Sequence, residues 1–81
     1  MDQSIIDIVN QEFSTQEAAL VIDALSSINL NHIMAQSKSQ LKYTKLSILK
    51  LAKGDLDEVI DLTEKAKIDF RDILYWASLQ E

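Results

Sequence analysis

The chain contains no proline and a single glycine, Gly54. These two residue types are the strongest interrupters of an α-helix, costing about 3 and about 1 kcal/mol in a helix interior. With so little of either, the breaks between helices must come from capping side chains and from that one glycine. No segment alternates apolar and polar residues as a half-buried strand does. The expectation is an all-α fold, a compact small bundle of four or five helices forming one domain over residues 1–81.

Side chains that accept hydrogen bonds from free backbone N–H groups mark where helices begin. Asp2 or Ser4 can cap a first helix over Gln3 to Phe13, in which Ile5, Ile8, Val9 and Phe13 share a face. Ser14 followed by Glu17 reads as a capping box for a second helix, with Ala18, Val21, Leu25 and Ile28 at helical spacing and an end between Asn29 and Asn31. The stretch NLNHIMAQS, residues 29–37, reads as a loop because its asparagines favour a turn. Ser37 with Gln40 opens a third helix that runs to Lys53, stops at Gly54, and turns Leu41, Ile48, Leu51 and Ala52 inward.

Directly after the glycine, Asp55 and Glu58 cap a fourth helix with Leu56, Val59, Ile60 and Thr63 as its buried stripe. Asp69 then caps a last helix, placing Asp72 in the first turn, where the helix dipole favours negative charge. Phe70, Ile73, Leu74 and Ala77 form its inner face, and the wheel puts one of Tyr75 and Trp76 at the surface. The short segment KIDFRDILYW is thus cap plus core, with a lone arginine, Arg71, able to reach Tyr75 or an acid on another helix.

The formal net charge of −5 conceals a segregation. Residues 1–37 hold five acids and no lysine or arginine, residues 38–53 hold five lysines and no acid, and residues 54–81 hold eight acids against three bases. Such blocks favour packing on one another and disfavour a surface that binds polyanions, so nucleic acid is not the expected partner. Zero cysteines fit a reducing compartment, the opening MDQSIIDIVN lacks a basic secretory start, and no apolar run reaches the roughly 18 residues a membrane span needs. The expected location is the cytoplasm, away from the membrane.

Chemistry-bearing constellations are sparse. His32 is the only histidine, and no nucleophile or orienting acid lies near it in a recognisable pattern. One glycine cannot make a phosphate-binding loop. Asp57, Asp61 and Glu64 line one helical stripe that a hard cation could in principle use, but the spacing is unspecific and Asp61 can pair with Lys65. Lys38, Lys42, Lys45 and Lys53 share another stripe, with Leu49 in its middle. The expectation is no enzyme, no catalytic residue, no cofactor and no metal.

Val59 to Trp76 approximates a helix-turn-helix, with KAKID as the turn, yet the second helix would offer Asp69 and Asp72 to phosphates. A nucleic-acid-associated regulator of that type is therefore the alternative reading. The stretch LAKGDLDEVIDLTEKAKIDFRDILYWA, Leu51 to Ala77, resembles a group of short bacterial proteins that share a Gly-Asp corner and an aromatic-Arg-Asp start to the last helix. The resemblance covers about a third of the chain, rests chiefly on DFRDILYWA, implies a bacterial all-helical protein, and transfers no activity or catalytic residue.

The first reading is a small acidic module that binds another protein, of the inhibitor or immunity type that places acidic helices against a basic partner. A homodimer also fits, since association adds stability to a chain this short. The residues expected to meet the partner are Arg71, Tyr75 and Trp76, with Asp57, Asp61 and Glu64.

Overall fold

The computed structural model describes residues 2–29 and 38–80, and among these it contains five helices and no strand. They are α1 (Gln3–Glu12), α2 (Thr15–Ser26), α3 (Lys38–Ala52), α4 (Leu56–Ile68) and α5 (Phe70–Ser78). The expected loop over residues 30–37, His32 within it, and the Ser37 cap lie outside the described residues. A Cα radius of gyration of 11.4 Å matches the value of about 12 Å for a close-packed chain of this length.

Four caps hold the helix starts. Asp2 Oδ1 accepts from the Ser4 N–H at 2.9 Å, so Asp2 and not Ser4 is the first cap. Ser14 Oγ accepts from the Glu17 N–H at 3.3 Å, and Asp55 Oδ1 from the Glu58 N–H at 3.2 Å. Asp69 closes α4 by donating its backbone N–H to the Lys65 carbonyl at 2.9 Å and opens α5 by accepting the Arg71 N–H at 3.0 Å. One residue thus makes the whole α4–α5 corner, whereas KAKID suggested a longer turn; Lys65 to Ile68 remain helical.

The α3–α4 corner uses two consecutive left-handed residues, Lys53 at φ 50° and Gly54 at φ 83°. Glycine at that conformation is unstrained, and a Cβ there would meet the Glu12 carbonyl oxygen at 3.4 Å. The chain reversal is therefore pressed against the end of α1. Helix α2 stops at Ser26, short of the expected end, because Ser27 and Ile28 donate to the carbonyls three residues back and the Ser27 hydroxyl donates to Ala24 O. Ile28 is buried beyond the helix end.

Helix α3 is the central element, packed against α1, α4 and α5, while α2 lies on α1 and α4. The core joins Ile5, Val9 and Phe13 to Val21, Leu25 and Ile28, then to Ile48, Leu49, Val59, Leu62, Phe70 and Ile73. Because α3 has neighbours on several sides, its burial exceeds one stripe and takes in Thr44, Lys45 and Ser47, while Leu41 and Leu51 are only half-buried. This overturns the lysine stripe: Leu49 is core, and Lys45 is 8% exposed.

Helix α4 also sits differently from the expected stripe. Val59, Leu62, Thr63 and Ala66 face inward, and Ile60 faces out. The inward turn leaves the Thr63 hydroxyl, Oγ1, buried with no hydrogen-bond partner among the described residues. A buried polar group without a partner costs about 1–3 kcal/mol, and valine has nearly the same shape. Thr63→Val is expected to stabilise the fold by about 1 kcal/mol, read as a raised urea midpoint at unchanged denaturant slope.

Candidate functional site

The buried residues of α4 fix what its opposite face must present. With 3.6 residues per turn, the side of the helix diametrically across from Val59, Leu62 and Ala66 carries Asp57, Asp61, Glu64 and Ile68, with Ile60 at its edge. All five are exposed, and Ile60 and Ile68 retain 48% and 87% of their accessible surface. The three carboxylates predicted to act together therefore share one solvent-facing stripe, now joined by two isoleucines the sequence reading had assigned to apolar spacings.

The stripe's charges are only partly compensated. Lys65 Nζ lies 2.8 Å from Asp61 Oδ2, and Lys67 Nζ lies 3.4 Å from Glu64 Oε2. Both are surface pairs within one helix, which contribute little stability and leave carboxylate oxygens free to meet a partner. The hydrogen bond to Asp61 raises the Lys65 pKa above its ordinary value, so that ammonium stays charged. Lys65 Nζ also sits 5.8 Å from the centre of the Trp76 ring. It connects the acidic stripe to α5, within cation–π range.

On α5, Trp76 is half-buried and packs against the core, so it seals the seam and is not a free anchor. Tyr75 is the exposed member of the pair, at 63%, and shares the outer face of α5 with Asp72 and Leu79. Arg71 reaches neither Tyr75 nor another helix. Its Nε and Nη2 donate to the two carboxylate oxygens of Asp69 at 3.0 and 3.1 Å. The short span between a capping residue and the second helical position makes this local pair accessible. Hydrogen bonds from the Arg71 side chain and backbone lower the Asp69 pKa, and the same pair raises that of Arg71.

The predicted residues thus separate into an open acidic face (Asp57, Asp61, Glu64), an exposed tyrosine (Tyr75), and two residues with structural employment (Arg71, Trp76). Among the described residues no group of three or more His, Cys, Asp or Glu side chains is arranged to hold a metal ion. The N-terminal turn of α5, where a recognition helix would meet phosphates, carries Asp69 and Asp72. No described helix is long and apolar enough to cross a membrane. No family model matches the chain, and no curated protein or solved structure shows significant similarity to it.

Ile60 and Ile68 were missed for a physical reason. Val59 and Thr63 belong equally to a stripe containing Ile60 and to one containing Leu62 and Ala66, and only the positions of α2 and α3 select the second. Spacing alone does not separate them, because the two stripes have the same three- and four-residue separations, offset by three positions.

Proposed function

We propose that the protein is a non-enzymatic, protein-binding module whose contact surface is the outer face of α4, and that its partner is a basic protein which it inhibits or neutralises. The observation that carries this reading is an 87% exposed isoleucine, Ile68, on a stripe with Asp57, Asp61 and Glu64. Exposed aliphatic side chains beside like charges are poor solvation chemistry and good interface chemistry: the apolar groups gain by burial and the carboxylates steer a cationic surface into place. Tyr75 on the neighbouring helix extends the same kind of surface. A bacterial, cytoplasmic setting belongs to the same proposal.

Neutralising the stripe with Asp57→Asn, Asp61→Asn and Glu64→Gln together tests it. All three side chains are exposed, so the variant folds. In affinity capture from a bacterial lysate at low salt, the unmodified chain is expected to retain a basic protein that elutes with salt, and that purified protein is expected to bind the variant at least about tenfold more weakly. Equal binding of the purified protein to both forms would remove α4 as the contact. Retardation of mixed-sequence DNA by the unmodified chain would instead favour the nucleic-acid reading.

A further inference from the structure

We propose that the seam between α2 and α4 receives one amphipathic helix of the basic partner, its apolar stripe seated on Leu20 and Ile60 and its lysine or arginine side chains meeting acids on both rims. This rests on the reading that the outer face of α4 is the contact surface. It adds α2 to that surface and gives the partner a shape.

Two contacts fix which edge of α4 faces α2. Leu56 and Asp57 share a small cleft with Glu17 of α2, near the start of both helices. Lys65, on the other edge of α4, lies over the Trp76 ring of α5. Ile60 follows Leu56 by four residues and so continues the side of the helix turned to α2. On α2, Leu20 follows Glu17 by three residues and continues the side turned to α4. The two helices pack on one another, so these side chains flank one seam, a turn beyond the cleft. Leu20 keeps 55% of its accessible surface there, beside the half-exposed Ile60.

The charge around the seam selects the partner. Glu17 and Asp23 stand three residues either side of Leu20 on α2, and Asp57, Asp61 and Glu64 surround Ile60 on α4. Residues 1–37 contain no lysine or arginine, so α2 brings no cation of its own. Among the described residues, the ion pairs at these acids are those of Asp61 and Glu64, both with lysines of their own helix. An apolar strip between two acidic rims is complementary to a helix whose apolar stripe is bordered by cations on both sides. An extended segment would bind through its backbone to an open sheet edge, and the described residues contain no strand. Nucleic acid and an anionic membrane carry the wrong charge for this surface.

The probe is a synthetic peptide of about 18 residues, with leucine at helical spacing and lysine elsewhere, titrated at low salt into the isotope-labelled full chain and followed by backbone amide NMR. Two controls accompany it: the same residues in strict alternation, and the helical pattern with glutamate in place of lysine. The helical basic peptide is expected to give saturable shifts over residues 17–24 and 57–64, with a dissociation constant in the micromolar range and at least about tenfold below that of either control. Leu20→Lys and Ile60→Lys, both at exposed positions and each checked for an unchanged melting temperature, should weaken binding by about tenfold or more. Ser78→Lys, which adds the same charge at a groove between α3 and α5, should bind as the unmodified chain does. Absence of saturable shifts, equal binding of either control, or unchanged affinity in Leu20→Lys would each overturn the proposal. The α4 reading is judged apart, by the triple variant Asp57→Asn, Asp61→Asn and Glu64→Gln. If that variant weakens binding while Leu20→Lys does not, α4 stays the contact and the seam with α2 is wrong; if it binds unchanged, both readings fall.

Discussion

Replacing Ile73 with alanine is expected to lower the stability of the protein by about 3–4 kcal/mol, the middle of the range for truncating a fully buried isoleucine. Ile73 has no accessible surface and lies in α5 where that helix packs on α3 and α4. Alanine removes its apolar contacts and leaves a cavity that two long helices cannot collapse to fill. Helix α5 has nine residues, too few to persist in water without tertiary contacts, so the loss falls on the entire element. A domain of this length has about 4–12 kcal/mol in total, and the variant should be partly unfolded at modest urea concentrations. Tyr75→Ala, two positions on and exposed, should change stability by no more than about 0.5 kcal/mol. Urea titrations followed by far-ultraviolet circular dichroism distinguish the two; similar midpoints for both variants would contradict the assignment of the inner face of α5.

Lys45→Met is expected to act in the opposite sense, stabilising the fold by no more than about 1 kcal/mol near neutral pH, because the stem is buried while the ammonium keeps part of its water. Methionine replaces the buried stem with an apolar chain one atom shorter and removes an ammonium that the fold partly desolvates. The gain has a pH dependence whose direction follows from the lowered Lys45 pKa. Below that folded-state pKa the ammonium is charged in both states, so the penalty of burying it is fully present. As pH rises through it, the folded chain releases a proton that the unfolded chain still holds, and stability rises. Near pH 10.5, the ordinary lysine value, the unfolded chain loses its proton too and the advantage of methionine disappears. Asp2, Lys38 and Lys42 line one groove with Lys45 and are common to both proteins, so the difference between them isolates Lys45. A gain that stays constant from pH 7 to 10.5, or a loss, would show that Lys45 is solvated or paired.

These two residues also show which parts of the structure could be read from sequence. Ile73 lies on a face set by local spacing within one helix, and Ser14, Asp55 and Asp69 announce their helices because a cap needs only backbone two or three residues away. Lys45 and Leu49 were placed on one basic stripe of α3, and their burial could not be read because it depends on how many neighbours surround α3, a property of the assembled bundle. The second left-handed residue, Lys53, gave no signal because lysine has no preference for that conformation. Of the candidate surface, the carboxylates of α4 were legible as a stripe and Asp61–Lys65 as a pair, since both follow from spacing alone. The exposure of Ile68 was not, because it depends on which face of α4 the neighbouring helices cover, and Ile68 lies opposite the buried Val59, Leu62 and Ala66.

The most direct test of the α4 surface is the dissociation constant of the captured basic partner for the unmodified chain and for Ile68→Lys, measured by calorimetry beside the melting temperature of each. Lysine at this exposed position should leave melting unchanged and weaken the complex by about tenfold or more, since it replaces an apolar contact with a charge that repels the partner. An unchanged dissociation constant, or a melting temperature lowered as far as that of Ile73→Ala, would contradict a partner-facing role for this side of the helix.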